Sequence, residues 1–302
     1  MRWARALSVA ACLGLSSSAG HARADGAEPD DDPSSAVPPP PTASAVSPTP
    51  PPRASSAGSA RPAGSATAPP PRVVVKDGMA LIPATRFTMG TTDRAAPPNE
   101  RPPRTVSLPA FYIDRTEVKV GDYRQCVDRR ACAAPQRSSA ACTWEMGDPE
   151  LPVSCVRWAD AASYCRWAGK RLPREAEWEL AARGPNPGVR YPGQPGCGGS
   201  NTMLTDTTPR SCSGKRPWRV GTHPAGASPF GVHDLSGNVE EWVSDFYVET
   251  VTDAAAPRAG ASHVLRGGGW MTIPTAARTT ARNWGSVLEA GPNVGFRCAK
   301  DG

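Results

Sequence analysis

Eight cysteines, at positions 126, 132, 142, 155, 165, 197, 212 and 298, punctuate a chain otherwise rich in helix and strand breakers, with 35 prolines and 29 glycines. A body with so little regular structure buries a modest core, and covalent staples make up the difference. The ninth cysteine, Cys12, lies in the opening segment "MRWARALSVAACLGLSSSAGHARA". There Arg2 and Arg5 precede an apolar run over residues 6–15 and then small residues, the pattern of a secretory signal cleaved after Ala22-Arg23-Ala24. A second reading takes "VAAC" as a lipobox that would leave a lipid anchor on Cys12, but its apolar run is short, and cleavage after Ala24 is preferred. Removal of Cys12 leaves an even count, which behind an export signal favours disulfides over metal thiolates. Eight cysteines allow 105 pairings, so counting alone selects none. The spacings C-x5-C and C-x9-C lack the tight C-x2-C knuckle of zinc sites, and zinc is not expected.

Residues 25–72 collapse to proline, alanine, serine, glycine and threonine. Nothing in them can bury a core, so they read as a disordered linker with a polyproline II bias. Residues 73–302, about 230 in number, suit a single domain. The net charge of +6 is spread among acids without a basic block, so nucleic acid is not an expected partner. No later apolar run reaches membrane-spanning length. The destination implied is secreted, periplasmic or otherwise in the cell envelope.

Within the domain, "GMALIPATRFTMG" alternates apolar and polar residues and ends at glycine, and "RTVSLPAFYIDRTEV" continues in the same manner. Together they predict an opening hairpin. Tyr123 and Val127, four apart, fit one face of a short helix. Ala161, Tyr164, Cys165 and Ala168 mark a second helix, stopped by Gly169 and Pro173. "REAEWELAARG" predicts a third, with Trp178 and Ala181 inward and Gly184 at its end. Residues 185–228 read as loop.

Four stretches, "SYCRWAGKRLPREAEWELAARG", "FGVHDLSGNVEEWVSDFY", "VLRGGGW" and "NVGFRCA", together resemble the formylglycine-generating enzyme, or sulfatase-modifying factor, family. They occur in the family's order, and the opening "MALIPATRFTMG" fits as well. The resemblance implies an irregular, loop-rich α+β fold similar to C-type lectins. It also implies a disulfide between Cys165 and Cys298; of the remaining cysteines, the local pairs Cys126–Cys132, Cys142–Cys155 and Cys197–Cys212 are expected. Where the family has a threonine N-cap, this chain has Arg174, a change costing about 1 kcal/mol unless another group caps the helix. Two cysteines that pair in the copper enzymes correspond to Ala182 and Thr279, absent together.

Family enzymes that oxidise a sulfatase cysteine carry two thiols, spaced C-x4-C, after an R-G-G-S-[YW] turn, and these bind copper. Here the turn spans residues 266–270, the first thiol position is Thr272, and the second falls within residues 274–277, none of them cysteine. Cu(I) is soft and requires thiolate, so copper is not expected. Non-haem iron, used by another branch, requires two histidines and a carboxylate. His223, His233 and His263, with His21 in the leader, show no such spacing, and iron is not expected either.

The turn "DLSGNVEEW" corresponds to a calcium site of the family. The ligands implied are the Asp234 and Glu241 side chains and the Gly237 and Val239 carbonyls, all hard oxygens. Read without the resemblance, it is an acidic turn. A second family calcium site near Asn201 is lost, because its acidic partner falls at or beside Cys212. Trp270, Arg278, Arg282 and Trp284 line the family's cleft, either as a ligand floor or as core and internal ion pairs. The resulting expectation is an exported domain that binds a protein or small molecule in the envelope, or has a structural role there, and does not oxidise thiols. The alternatives are an oxidoreductase with another centre and an envelope scaffold.

Overall fold

The computed structural model describes residues 73–135, 139–193, 216–249 and 262–302. The expected leader with Cys12, the expected linker, Asn201 and the expected Cys197–Cys212 pair lie outside the described residues. Two prolines set the topology of the first half. Proline donates no backbone hydrogen bond, so a ladder cannot run through it. Pro83 separates strand β2 (Met79–Ile82) from β3 (Thr85–Met89), and Pro109 separates β4 (Arg104–Leu108) from β5 (Phe111–Asp114). The single hairpin expected from the sequence is therefore two ladders. β3 pairs with β4, with Thr85 opposite Leu108. β2 pairs with β5, with Ile82 opposite Phe111. The short β1 (Val75–Lys76) and the C-terminal β10 (Ala299–Asp301) complete an antiparallel sheet in the order β1-β2-β5-β10.

The third sheet joins β6 (Glu240–Phe246), β7 (Ser262–Arg266), β8 (Arg282–Ser286) and β9 (Val294–Gly295) in the order β8-β7-β6-β9. Successive side chains of a strand point to opposite faces. Val243 and Val264 accordingly enter one cluster with Ile82, Phe111, Ile113 and Trp178. Trp242 and Leu265 enter the other with Tyr123, Tyr164 and Phe296. The sheet thus separates two cores, and its two faces acquire different chemistry.

Three helices cover these cores: α1 (Val120–Asp128), α2 (Trp158–Trp167) and α3 (Glu175–Arg183). Tyr123 of α1 stacks on Tyr164 of α2 at 5.4 Å, and both meet Phe296 edge-on. Trp178 and Ala181 of α3 are fully buried. Gly184 ends that helix with φ of 71°, a left-handed value that glycine adopts without cost. The arginine at its start is compensated from another element. Asp245 of β6 accepts the Glu175 N–H through Oδ2 at 2.8 Å, and Glu177 Oε2 accepts the Arg174 N–H at 2.8 Å. Carboxylates at a helix N-terminus satisfy orphan donors and oppose the dipole, so Asp245 replaces the missing threonine.

Three disulfides join Cys126 to Cys132, Cys142 to Cys155 and Cys165 to Cys298. The last bridges 133 residues and ties α2 to the strand end beside β10. Closing so long a loop removes about 5 kcal/mol of unfolded-chain entropy. Among the described residues no helix is long and apolar enough to cross a membrane.

Candidate functional site

The turn after β7 is organised by a buried arginine. Arg266, 1% exposed, reaches Glu179 Oε2 at 2.7 Å and Glu175 Oε1 at 3.3 Å, and donates to the Thr279 and Thr280 carbonyls. Arg282 forks onto Glu175 at 2.6 and 3.1 Å. Arg278 Nη2 meets Glu100 Oε1 at 2.7 Å, while Thr280 donates to Glu100 Oε2. Arg183 pairs with Glu179 at 3.3 Å and donates to the Gly90 and Thr88 carbonyls. These charges are excluded from water, and each carboxylate has a guanidinium partner, the condition under which buried charge is tolerated. The guanidinium groups of Arg278 and Arg282 are therefore engaged inside the domain and brace the segment below the tryptophans.

Thr272 closes the turn on itself. Its hydroxyl accepts the Gly269 N–H at 2.8 Å and donates to the Gly269 carbonyl at 2.9 Å. A Cβ at Gly269 would come within 2.3 Å of the Asn293 amide, so a serine at this place in the turn would require that side chain to move. Trp270 Nε1 donates to the Pro292 carbonyl at 3.2 Å. Trp284 is 51% exposed, a wide apolar surface open to solvent. The six described cysteines are all in disulfides. Thr279, at one of the two lost cysteine positions, donates to the Val189 carbonyl at 2.7 Å and so tethers a loop by hydrogen bond.

The acidic turn precedes β6. Asp234 and Asn238 adopt φ of 59° and 66°, and Asp234 Oδ2 accepts the Gly221 N–H at 2.6 Å. Glu241 is fully buried, and both its oxygens are taken. Arg297 donates to them at 2.6 and 2.7 Å, and Trp178 Nε1 at 2.8 Å. Burial by itself would lower the Arg297 pKa, but the Glu241 carboxylate outweighs it and holds the pKa above the ordinary value. Asp234 and the Gly237 and Val239 carbonyls suit a hard cation, whereas Glu241 would have to share its oxygens with a guanidinium. Glu117, within electrostatic reach of Asp234 and Glu241, is buried with Oε2 lacking any partner. Burial first, then the Asp234 charge, push its carboxyl well above the usual range. A buried carboxyl oxygen without a partner is unusual, and either the proton favoured by its raised pKa or a nearby cation would relieve its charge.

The histidines occupy separate surroundings. His263 is stacked between Trp158 and Phe246, at 3.8 and 4.2 Å. His233 faces Arg115 at 3.0 Å, and His223 stacks on Trp218. Among the described residues no three His, Cys, Asp or Glu side chains converge to hold a metal.

On the opposite face of β6 from Glu241 lies a groove of about 450 Å³, lined by Trp242, Leu265, Trp284, Pro292 and Val294 with Glu240 and Glu289. Glu240 is 5% exposed and accepts from Asn283 Nδ2 at 2.9 Å and Asn293 Nδ2 at 3.2 Å. Burial raises its pKa, and the two amides only moderate the rise. A Cβ at Gly285 would come within 2.5 Å of Trp242, so glycine there lets β8 lie against the indole that floors the groove. Asn293 also accepts the Met271 N–H through Oδ1 at 3.0 Å, which couples the groove to the glycine-rich turn. Sequence reasoning overlooked Glu240, Asn283 and Asn293. The available signal was the tandem Glu240-Glu241 in a strand, whose alternation sends one carboxylate to each face.

Irregular strands around two cores, three short helices and a disulfide from helix to C-terminal strand define a loop-rich α+β domain of C-type-lectin-like fold. The chain belongs to the family of the sulfatase-modifying factor enzyme 1-like domain, which matches residues 65–302. It is 31% identical to the formylglycine-generating enzyme of Mus musculus, over 76% of this chain and 77% of that protein. It is 30% identical to the inactive C-alpha-formylglycine-generating enzyme 2 of Bos taurus, over 73% and 87%. The serine/threonine-protein kinase Pkn1 of Chlamydia trachomatis is 33% identical over 74% of this chain, which spans only 38% of that relative's length. Among solved structures, PvdO from Pseudomonas aeruginosa superposes with a TM-score of 0.63 at 27% identity, covering 74% of this chain and 94% of that one.

Proposed function

We propose that this protein is an exported ligand-binding member of its family that does not generate formylglycine. The observation that carries the reading is the turn at residues 266–272, where the position of the first family thiol is a threonine whose hydroxyl is closed onto Gly269. A hydroxyl is neither a ligand for Cu(I) nor a partner for a substrate thiol. The similarity to a relative described as inactive is consistent with this. Trp270 and Trp284 form the ligand-facing surface, and Arg278 and Arg282 hold it in place. The disulfides and the leader motif favour export to the periplasm, envelope or medium, where the ligand would be met.

The decisive assay incubates pure protein with Cu(I), oxygen and a peptide carrying the C-x-P-x-R motif, and reads the peptide mass. The expected result is no cysteine-to-aldehyde change above a metal-free control. Turnover above that control would overturn the binding reading in favour of an oxidoreductase with another centre.

We further propose a structural calcium at the acidic turn, held by Asp234 and the Gly237 and Val239 carbonyls, with Glu241 contributing to the extent that its pair with Arg297 allows. Calcium would supply positive charge to a region where the Glu117 oxygen has no partner.

A further inference from the structure

The groove beside β6 differs from the rest of the buried polar interior in one respect. Among the described residues that line it there are two carboxylates, Glu240 and Glu289, and no lysine, arginine or histidine. This occurs in a chain whose net charge is +6. A buried carboxylate without a counter-charge is costly, because amide donors offset only part of the lost hydration. The surrounding walls are the Trp284, Trp242, Leu265 and Val294 side chains, an apolar surface whose indole faces attract cations. The cavity, about 450 Å³, is of the size that takes a small organic molecule.

We propose that this groove binds a small organic primary ammonium carried on an aromatic or aliphatic body, with the ammonium on Glu240 and the body against Trp284 and Leu265. The inference rests on the ligand-binding reading and names its ligand class. Asn283 and Asn293 each donate to one Glu240 oxygen, which orients the carboxylate and leaves lone pairs for a further donor. Asn293 also holds the backbone of Met271, so occupancy of the groove would be felt at the glycine-rich turn.

The test titrates the intact protein by calorimetry with 2-phenylethylammonium and with its neutral isostere 2-phenylethanol. The amine should bind at least tenfold more tightly than the alcohol, and its affinity should rise with pH as Glu240 loses its proton. Glu240→Gln should weaken the amine at least tenfold and leave the alcohol unchanged. Trp284→Ala, at a position half exposed to solvent, should weaken both ligands. Equal binding of amine and alcohol, no detectable binding of either, or an amine affinity unchanged in both variants would overturn the proposal. If the amine fails while the peptide stays unoxidised, only the ligand class is lost; peptide oxidation would remove the binding reading itself.

Discussion

Behind the glycine-rich turn, Glu175 meets Arg266 and Arg282, Glu179 meets Arg266 and Arg183, and Glu100 meets Arg278. Across the same sheet, Glu240 is buried to a similar degree and, among the described residues, meets two asparagine amides. The side chains are alike, and what differs is the counter-charge. A carboxylate saturated by guanidinium has its lone pairs filled and its charge cancelled, so it fixes the positions of strands and helices. A carboxylate held by amides keeps its charge and some acceptor capacity, so it can serve a ligand. Burial therefore does not by itself mark either a site or a scaffold in this molecule. The balance of charge around each buried group separates the two.

Breaking the paired side should produce the largest effect. Arg266→Ala leaves Glu175 and Glu179 short of a partner in the core, and such uncompensated buried charge costs about 3–5 kcal/mol. Chemical denaturation should show this loss. A change under about 1 kcal/mol would mean that the ion pairs do not organise the interior.

Glu117 stands between the two cases, with one oxygen bonded to Asn238 and the other orphaned. If calcium supplies the missing charge, the native state gains stability by mass action, about 2.7 kcal/mol at a hundredfold excess over Kd. Thermal melts with calcium and with chelator should then differ, and Asp234→Asn should narrow the gap. Coincident melts of the wild type would remove calcium from the account.

The smallest effect belongs to the unpaired side and depends on pH. Because the folded Glu240 pKa is raised by burial, the native state binds more protons than the unfolded chain between the ordinary carboxylate range and the raised value. Stability contributed by that proton is present at low pH and lost as pH rises through this window. Glu240→Gln has no such proton to lose, so its melting temperature should gain on the wild type as pH rises. A constant difference from pH 4 upward would place Glu240 in an environment that does not disfavour its charge, unlike one whose amides only partly offset burial.

Much of the fold was legible because it follows from local rules. The helices at residues 158–167 and 175–183 came from apolar spacing with glycine stops, and the family from four ordered stretches. The single opening hairpin was not found, although Pro83 and Pro109 were visible as the breaks that divide it. The candidate site was legible in its outline. The thiol-free turn at Thr272 could be read directly, whereas the exposure of Trp284 belongs to the assembled strand. Arg278 and Arg282 could not be placed from sequence, since an arginine near a cleft looks the same whether it faces solvent or a buried glutamate.

By itself the sequence determined the family and the absence of thiols from the turn at Thr272. These depend on residue type, spacing and chain order, all of which are one-dimensional. The tertiary structure decided that Asp245 caps the helix at Glu175, that Glu241 belongs to Arg297, and that Glu240 faces a groove whose described lining holds no cation. Each of these depends on which distant strand arrives beside a given side chain. Electrostatic partnership is short-ranged in space but indifferent to separation along the chain, so only the assembled sheet settles which charges are cancelled and which remain available.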